Sequence, residues 1–348
     1  MALPPCRASS RGANGVQTRT RRQALGEPVE AEVILSRVRP DVSLIVVSHN
    51  TRGYLERCLS ELTSRHEVIV VDTGSTDGSQ DLVRDRFPHA RLLVLADNPG
   101  YGGALNAGIA LAAGQHLVVM NADVFPLPHA VERLAEFADG ERSAGVVGPR
   151  LLNPDGTLQP SVRGFPTLWR LATEYLFLRW LAPHSGALNA FYGSGFDHSS
   201  RREADFVVGA VMLVRREMLE EIGTFDTSFF MFDEEIDLCF RARKAGWTVV
   251  FWPGAEFVHV GGASTAAVWP SMYREQLRSH LRFLAKHHGL QEAERARKLL
   301  AAAMRIRALV FGILRRTERR ALSLDAVAWL RSGDTSALLE LSPPPKTL

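Results

Sequence analysis

The sequence has little of what would place it among disulfide-rich, membrane-spanning or disordered proteins. Its 348 residues include three cysteines, Cys6, Cys58 and Cys239, and no CxxC pair. This excludes a disulfide scaffold or a zinc ribbon and favours a reducing compartment. No run approaches about 18 uncharged apolar residues, so we expect no transmembrane helix. We also expect no signal peptide, because no apolar stretch follows the first residues.

What is present indicates a globular protein with an uneven charge distribution. Hydrophobic residues make up 46% of the chain and charged residues 23%, with a net charge of +3. Residues 271–320 hold thirteen Lys or Arg against four Glu, whereas 41–270 is acidic. A basic segment behind an acidic body favours an anionic partner surface, which could be nucleic acid or a membrane leaflet. Residues 1–40 are basic and lack periodicity, so we expect a disordered leader there.

Four apolar runs alternate with helical patterns from Val42 onward. The alternation predicts an α/β fold with a mostly parallel sheet covered by helices on both faces. Such sheets bind ligands at the carboxyl ends of their strands. Each predicted strand and the helix after it fall at 42–47 and 53–63, 68–71 and 79–87, 92–95 and 104–113, and 117–120 and 130–138.

Polar and glycine residues follow each of these strands, at 48–50, 72–79, 98–106 and 121–123. One such turn would be ordinary loop chemistry, but four at one sheet edge favour a ligand site. The first strand is not followed by G-x-G-x-x-G, and the chain has no G-x-x-x-x-G-K-[ST], so neither a dinucleotide fold nor a P-loop is indicated. Asp72 is suited to accept hydrogen bonds from a base or ribose, and Asp123 is suited to hold a hard divalent cation against a diphosphate.

Taken in order, these motifs closely resemble glycosyltransferase family 2, of the GT-A fold, in its rhamnosyltransferase-like branch. The resemblance covers roughly residues 41–265, and its motifs occur in the family's order. The segments that carry it are Ser48-His49-Asn50, VVDTGSTDGS, NPGYGGALNAG, MNADV, Gly209–Arg216, Gly223–Phe230, FDEEIDLCFRARKAGW and His259–Ser264.

The resemblance implies roles for individual residues on the donor side. Asp123 matches the last acid of the family's D-x-D metal motif. Because Asn121 stands at the first position of that motif, His259 is the implied second ligand of Mg²⁺ or Mn²⁺. The residues implied for nucleotide-sugar binding are Ser48, Asn50, Asp72, Asp77, Asn98, Gly103, Asn106 and Asn121.

The acidic cluster at 233–237 is the predicted catalytic group. Glu234-Glu235 matches the family's Glu-Asp pair, whose second member is similar to the catalytic base, so Glu235 is the expected base, with Glu234 and Asp237 beside it. Inverting transfer needs a carboxylate that takes the acceptor hydroxyl proton. Acids in a first helical turn can also offset the helix dipole, and we expect that role for Asp233.

The whole chain is thus expected to comprise a leader (1–40), a GT-A catalytic domain (41–268) and a basic amphipathic helical region (269–348). The implied function is inverting transfer of a sugar, favoured to be rhamnose from dTDP-rhamnose, to a polyprenyl-diphosphate-linked or polysaccharide acceptor in cell-envelope glycan synthesis. Alternatives are another hexose donor, galactosyl or mannosyl, and a non-catalytic nucleotide-sugar-binding protein.

The expected location is the cytoplasmic face of the cell membrane, bound peripherally to anionic lipid. We expect no nucleic-acid partner, since the chain carries no recognised reader motif. The basic helices after residue 269 could instead pack on the catalytic domain, and the aromatic segment 168–181 could lie at a membrane interface or across the mouth of the site.

Overall fold

The computed structural model describes residues 41–62, 65–182, 185–189, 191, 196–262 and 269–340. The predicted leader, 1–40, lies outside the described residues. The strands are β1 Val42–Ser48, β2 Glu67–Asp72, β3 Arg91–Val94, β4 His116–Asn121, β5 Val124–Pro126, β6 Ala144–Leu152, β7 Leu158–Gln159, β8 Val162–Arg163, β9 Arg202–Glu203, β10 Phe206–Val207, β11 Val211–Arg215 and β12 Thr248–His259. The helices are α1 Arg52–Glu61, α2 Ser79–Arg86, α3 Tyr101–Leu111, α4 Ala130–Gly140, α5 Leu168–Tyr175, α6 Leu178–Leu181, α7 Arg216–Ile222, α8 Glu234–Lys244, α9 Trp269–His288, α10 Leu290–Ile313, α11 Thr317–Leu330 and α12 Thr335–Glu340.

A mixed sheet forms the centre of the molecule, with strand order β3-β2-β1-β4-β11-β6-β12-β5. The four predicted strands, β1 to β4, are parallel to one another. β11 enters antiparallel between β4 and β6, and β12 runs parallel to β6. The short β5 pairs antiparallel with β12, bringing Val124 opposite His259. This register places the end of β12 beside the end of β4.

The sheet is covered by helices on both faces, as the apolar strand patterns predict. Along β1, Leu44 and Val46 face a cluster that includes residues of α1, α2 and α4. Ile45 faces the opposite cluster, formed with α3, α5, α8, α9 and α10. Strand side chains alternate between faces with a period of two, so a strand buried on both sides has to be apolar throughout.

The helix α3 begins at Tyr101, three residues before the predicted start. The glycines of its first turn made this difficult to predict, because glycine disfavours helix interiors. They are required by close packing: a Cβ on Gly103 would lie 2.8 Å from the Cβ of Pro99, and one on Gly102 would lie 3.2 Å from the Cβ of Phe225. Gly100, with φ of +82°, allows the chain to pass directly over the carbonyl oxygen of Phe230.

The C-terminal helices pack on the sheet domain and share its hydrophobic cluster. Leu277, Leu281 and Phe283 of α9 are fully buried against it. The basic stripe of α9 has protein partners: Arg274 pairs with Asp325 and the other basic residues pair elsewhere within the fold. Those further pairs are Arg278 with Glu275, Arg282 with the Leu339 carbonyl, and Lys286 with Asp226 and Asp237. Among the described residues no helix is both long enough and apolar enough to cross a membrane.

Candidate active site

A cleft opens at the carboxyl ends of β1, β2 and β4, where the sequence predicts a ligand site. It encloses a cavity of about 250 Å³. Strand ends form one wall, and the start of α8 and the segment before β11 form the other. The predicted site residues that line this donor cleft are Asn98, Asn121, Asp123, Glu234, Glu235 and His259.

Asp72 lies at the end of β2 and is 1% exposed. Its Oδ1 accepts hydrogen bonds from the Ser75 amide and from Gln80 Nε2, both at 2.9 Å. Its Oδ2 is buried and has no hydrogen-bond partner among the described residues. A buried acceptor without a partner is costly in free energy, so this oxygen is suited to a ligand donor.

Three other predicted residues hold the loops around Asp72. The side chain of Asn50, a residue with φ of +50°, accepts from the Thr76 amide at 2.8 Å. Asp77 accepts hydrogen bonds from the Arg52 amide at 2.8 Å and from Ser79. These bonds link the start of α1 to the start of α2. Ser48 is buried and its hydroxyl lies 3.0 Å from that of Thr51. In this structure their polar atoms are occupied by the protein.

At the start of α3, only some of the predicted residues face the cleft. Asn98 lines it, and its Oδ1 accepts from the Gly100 amide at 3.0 Å. Gly103 packs on Pro99 instead. Asn106 spends both ends of its amide on the backbone of Phe225, at 2.8 and 3.0 Å. The fold thus brings one of these three to the cleft and uses the others to fasten α3.

Asp123 and His259 face each other, with His259 Nε2 3.7 Å from Asp123 Oδ1. His259 Nδ1 lies 2.7 Å from Gln159 Oε1. The Gln159 amide nitrogen donates to the carbonyl of His259 and to Asn153, which leaves the amide oxygen as the acceptor for Nδ1–H. The lone pair of Nε2 is therefore directed toward Asp123. A second hydrogen bond that fixes the tautomer is the arrangement that metal-ligating histidines use.

These two side chains are a small ligand set. Among the described residues, no group of three or more His, Cys, Asp or Glu could hold a metal ion. Asp123 also accepts a hydrogen bond through Oδ2 from the Gly261 amide at 3.1 Å. Mg²⁺ is commonly bound by one or two carboxylates together with substrate phosphates and water. The donor set therefore fits a cation that arrives with, or is completed by, a diphosphate.

On the opposite wall, Glu234 and Glu235 begin α8; Glu234 is buried and Glu235 is half-buried. Burial, and then the charge of Asp233, raises the pKa of Glu235 to about 7. Burial, and then the charge of Glu235, raises the pKa of Glu234 well above its ordinary value. One oxygen of each carboxylate is buried without a hydrogen-bond partner among the described residues. The pair thus retains a proton near neutral pH, with Glu235 the member that ionises more readily.

The backbone before α8 is strained. Phe232 and Asp233 have φ of +68° and +66°, a region that non-glycine residues enter at a cost of about 1–3 kcal/mol each. Helix α9 holds this turn, because His280 Nδ1 lies 2.6 Å from Asp233 Oδ2 and the Ser279 hydroxyl donates to the Met231 carbonyl at 2.9 Å. Both α9 residues are buried.

Gly209, in the segment before β11, supports Glu235. A Cβ at this position would lie 3.2–3.3 Å from three carbons of the Glu235 side chain, and a backbone hydrogen bond from Gly209 acts to lower the pKa of that carboxyl. The Tyr101 hydroxyl donates to the Gly209 carbonyl at 3.0 Å. The absence of a side chain at Gly209 therefore makes room for the carboxylate.

Asp237, one turn further along α8, does not line the cleft. It is fully buried and accepts from Arg241 at 2.8 Å, His287 at 2.7 Å and Lys286 at 2.6 Å. Burial raises its pKa, but these hydrogen bonds outweigh burial and bring the pKa to about 2. The structure thus places Asp237 in a permanently ionised network that fastens α8 to α9.

Sequence reasoning missed several residues of the site. Gln159 and His280 contact predicted residues from 100 and 47 positions away in the chain, so no local pattern signals them. Tyr101 and Gly209 stand within two of the motifs that carry the resemblance, and those motifs could have drawn attention to them. Ala263 and Ser264, the end of the predicted closing motif, lie outside the described residues.

The sheet, its two helical layers and the acid-lined cleft at its carboxyl edge are those of a GT-A glycosyltransferase. The structure resembles a mannosyltransferase from Pyrobaculum calidifontis, solved with GDP-Man and Mn²⁺, with a TM-score of 0.51 at 18% identity, over 83% of this chain and 86% of that one. Residues 43–223 match the family described as "Glycosyl transferase family 2". The chain belongs to this family, which confirms the family and fold that the motifs predict.

Two relatives are similar over most of their own length. One is the N-acetylglucosaminyl-diphospho-decaprenol L-rhamnosyltransferase of Mycobacterium tuberculosis, 32% identical over 298 residues, which cover 81% of this chain and 96% of that protein. The other is the rhamnosyltransferase WbbL of Escherichia coli K12, 23% identical over 70% of this chain and 93% of that protein.

The raised pKa of Glu235 predicts a stability that depends on pH. In the unfolded chain this carboxyl titrates near 4.5 and in the folded protein near 7. The folded state therefore binds more protons between these values and loses stability as the pH rises through them. We expect Glu235→Gln to raise the free energy of unfolding by about 1–2 kcal/mol at pH 8 and to leave it nearly unchanged at pH 4.

Urea unfolding followed at pH 4 and pH 8 measures this difference. Glu220→Gln, an exposed acid on α7, is the matched control and should show no difference between the two pH values. An equal change for Glu235→Gln at both pH values would contradict the raised pKa.

Proposed function

We propose that this protein transfers rhamnose from a nucleoside-diphosphate donor, dTDP-rhamnose, to a polyprenyl-diphosphate-linked acceptor in cell-envelope glycan synthesis, with inversion at the anomeric carbon. The observation that carries the proposal is that one cleft has side chains suited to a metal ion on one wall and a carboxylate suited to act as a base on the other. Asp123 and His259 stand on one wall, and the half-buried Glu235 stands on the other. The names of the two relatives support rhamnose as the sugar, and the name of the first supports a diphosphate-lipid acceptor.

Glu235 acts as the general base. An inverting displacement needs a carboxylate that accepts the acceptor hydroxyl proton while the oxygen attacks the anomeric carbon from the side opposite the leaving diphosphate. Its pKa near 7 suits a base that works near neutral pH. Glu234, whose pKa is raised further, keeps its proton and spares Glu235 a second negative charge alongside. Asp237 serves as a positioning residue through its ionic network.

On the donor side, the free oxygen of Asp72 accepts a hydrogen bond from the nucleotide base or ribose. Asn98 and Asn121 line the cleft together with Asp123. Asp123 and His259 would hold Mg²⁺ or Mn²⁺. When bound, the cation offsets the charge that develops on the departing diphosphate. Gln159 orients His259 for this task.

The assignment of the base predicts a large, selective loss of turnover. With dTDP-rhamnose and an N-acetylglucosaminyl-diphospho-lipid, the wild-type protein should release nucleoside diphosphate. Glu235→Gln should lower kcat by about 10²–10⁴-fold because it removes the proton acceptor but keeps the shape. Donor affinity should change little. The wild-type kcat should fall as the pH drops below about 7, where Glu235 becomes protonated.

Asp237→Asn is the comparison that separates a base from a positioning residue. It should lower the melting temperature and change kcat less than Glu235→Gln does, with the pH profile of kcat unmoved. Near-normal turnover of Glu235→Gln would refute the assignment and direct attention to Glu234 or Asp237. Turnover with a galactosyl or mannosyl nucleotide in place of dTDP-rhamnose would change the proposed sugar, and donor binding without any transfer would favour a non-catalytic binding protein.

The second predicted variant concerns the cation. Gln159→Leu should raise the Mg²⁺ or Mn²⁺ concentration needed for half-maximal activity by about 10–100-fold, because His259 loses the partner that fixes its ring. Saturating cation should restore most of the activity. Gln115→Leu, at an exposed position beside β4, is the control. Full wild-type activity in excess EDTA would contradict the role of a cation.

Peripheral binding to an anionic membrane surface is supported by the end of α10 and the start of α11. There an exposed apolar patch is surrounded by arginines, and no ion pair involves these arginines within the described residues. Leu309 is 67% exposed, Ile313 73% and Leu314 60%. We name this surface the α10–α11 elbow; it comprises Arg305, Ile306, Leu309, Ile313, Leu314, Arg315, Arg316, Arg319, Arg320 and Leu324.

The short helix α6 adds to the same side of the molecule. The ring of Phe177, just before α6, contacts that of Phe311 on α10 with their centroids 5.7 Å apart. Trp180 and Leu181 follow, 72% and 78% exposed. Apolar side chains among arginines are typical of surfaces that dip into the interface of an anionic leaflet. Of the two alternatives for segment 168–181, α5 is thus packed on the domain while α6 is exposed.

Charge removal in the elbow should weaken membrane binding. Arg315→Gln/Arg316→Gln should lower the affinity for phosphatidylglycerol-containing vesicles about 30-fold, since each basic residue near such a surface contributes about 1 kcal/mol. Higher salt should weaken wild-type binding in the same direction. Cosedimentation measures both effects. Arg295→Gln/Lys298→Gln, on α10 outside the elbow, is the charge-matched control. Equal binding by the two double variants would contradict the elbow as the docking surface.

A further inference from the structure

A second cavity lies on the far side of Glu235 from the donor cleft. It encloses about 370 Å³, within the range of about 300–1,000 Å³ typical of small-molecule sites. Phe232 and Glu235 line both cavities. The predicted base therefore stands between two spaces, of which the donor cleft is one. A carboxylate in this position has access to a molecule in either.

The walls of the second cavity come from elements that a donor does not need. β8 contributes Arg163, α9 contributes Trp269, Tyr273 and Gln276, and α10 contributes Arg307. The centroids of the Trp269 and Tyr273 rings lie 6.2 Å apart, and Trp269 is 40% exposed. Aromatic faces beside a few polar groups are the usual lining of a site for an organic ligand.

The charges in this cavity favour an anion. Two of the three acids that line it are already paired: Glu174 lies 3.2 Å from Arg179, and Asp233 bonds to His280, while Glu235 is the third. Arg307 has no carboxylate partner among the described residues. Its guanidinium instead lies over the Phe177 ring, 4.5 Å from the centroid, and 3.5 Å from the carbonyl oxygen of Tyr175.

Arg163 is the second guanidinium of the cavity. It lines the same cavity as Glu235, and its charge acts to lower the pKa of that carboxyl. Arginine recognises phosphate oxygens through paired N–H donors, and two arginines that line one cavity suit a phosphate or diphosphate.

We propose that the second cavity is the acceptor site, in which Arg163 and Arg307 bind the phosphate groups of a glycosyl-diphosphate acceptor and the Trp269–Tyr273 edge holds its sugar beside Glu235. This inference rests on the proposed function, and it names the chemistry by which the protein distinguishes a phosphorylated acceptor from a neutral sugar. The hydroxyl that gives up its proton to Glu235 then reaches the anomeric carbon from the second cavity, alongside the Glu235 carboxylate.

An independent observation indicates where the lipid chain of such an acceptor would lie. Arg307 lies on α10 between Arg305 and Leu309, two residues of the α10–α11 elbow. Its guanidinium also lies 5.5 Å from the centroid of the Phe311 ring, and Phe311 contacts Phe177, which directly precedes the exposed helix α6. A diphosphate held at Arg307 would therefore have its lipid chain next to α6, which belongs to the side of the molecule proposed to meet the membrane.

The test compares two acceptors and four variants, one of which is the conservative Arg307→Lys. One acceptor is N-acetylglucosaminyl diphosphate esterified to a short isoprenoid alcohol, and the other is an alkyl N-acetylglucosaminide, which carries the sugar without phosphate. Arg307→Gln and Gln276→Ala are cavity variants, and Arg295→Gln is the control from the exposed side of the same helix. The measurements are KM for each acceptor, the dissociation constant of the donor, and the melting temperature.

Arg307→Gln should raise KM for the diphosphate acceptor at least 10-fold while donor affinity and melting temperature stay near wild type. With the alkyl glycoside, wild type and Arg307→Gln should have the same KM, because the lost contact is to phosphate. Arg307→Lys should recover part of the loss. Gln276→Ala, which removes no charge, should raise KM for both acceptors. Equal KM ratios for Arg307→Gln on the two acceptors would overturn the assignment.

Binding separates a failure of this inference from a failure of the proposed function. Titration of the diphosphate acceptor into Glu235→Gln protein, without donor, reports on the cavity alone. Binding that is weakened by adding Arg307→Gln supports the acceptor site even where the transferred sugar proves different. Transfer by the wild type combined with binding that is indifferent to Arg307 would overturn the cavity assignment and leave the proposed function standing.

Discussion

The chemistry of this protein depends on keeping two adjacent carboxylates out of water at the start of α8. In water, both carboxylates of such a pair would ionise and repel each other. At the start of α8, burial raises the pKa of both, so the pair keeps a proton and the pKa of Glu235 lies near neutrality. Desolvation works against folding, so the rest of the structure has to hold the pair in place. The strained turn at 232–233, the His280–Asp233 hydrogen bond and the ionic network of Asp237 all serve that purpose.

The two walls of the donor cleft are built on different principles. The wall at the ends of β1, β2 and β4 is made of short loops whose polar atoms bind each other, which leaves few free groups, such as the Oδ2 of Asp72. The wall at α8 is made of charge held by packing from α9. The first arrangement gives a preorganised surface for a nucleotide, and the second gives a base with tuned proton affinity. The catalytic step requires both, because positioning and proton transfer contribute separately to the rate.

Much of the fold could be predicted from the sequence. β1, β2 and β4 are apolar throughout because both of their faces are covered, and strands of this kind are easily recognised. The order of strand ends predicted the ligand edge, and Asp123, Glu235 and His259 do meet there. Local patterns could not show that Asp77 and Asn106 spend their polar atoms on neighbouring backbone, because an Asn or Asp that binds a loop has the same sequence context as one that binds a ligand.

The C-terminal basic helices show most clearly what could not be predicted from the sequence. Basic residues recur every four positions along α9, a pattern typical of a charged surface. Three of them, Arg274, Arg278 and Lys286, nevertheless form ion pairs with acids of the same chain. The arginines that remain exposed lie further on, at the α10–α11 elbow. Periodicity defines the faces of a helix but not the partner of each face. That partner is set by residues such as Asp325, which no local rule connects to Arg274.

The dependence of α8 on α9 also bears on the order in which the protein forms during synthesis. The sheet, the donor loops and both glutamates leave the ribosome before His280 and His287, which fasten the turn and the helix from α9. Until α9 docks, Phe206 and Leu171 lack the apolar layer that covers them in the folded chain. A nascent chain can therefore assemble its sheet and the loops at the strand ends early, but the turn before α8 is fastened only when the C-terminal helices have folded onto it, so Glu235, the proposed base, acquires its final surroundings last.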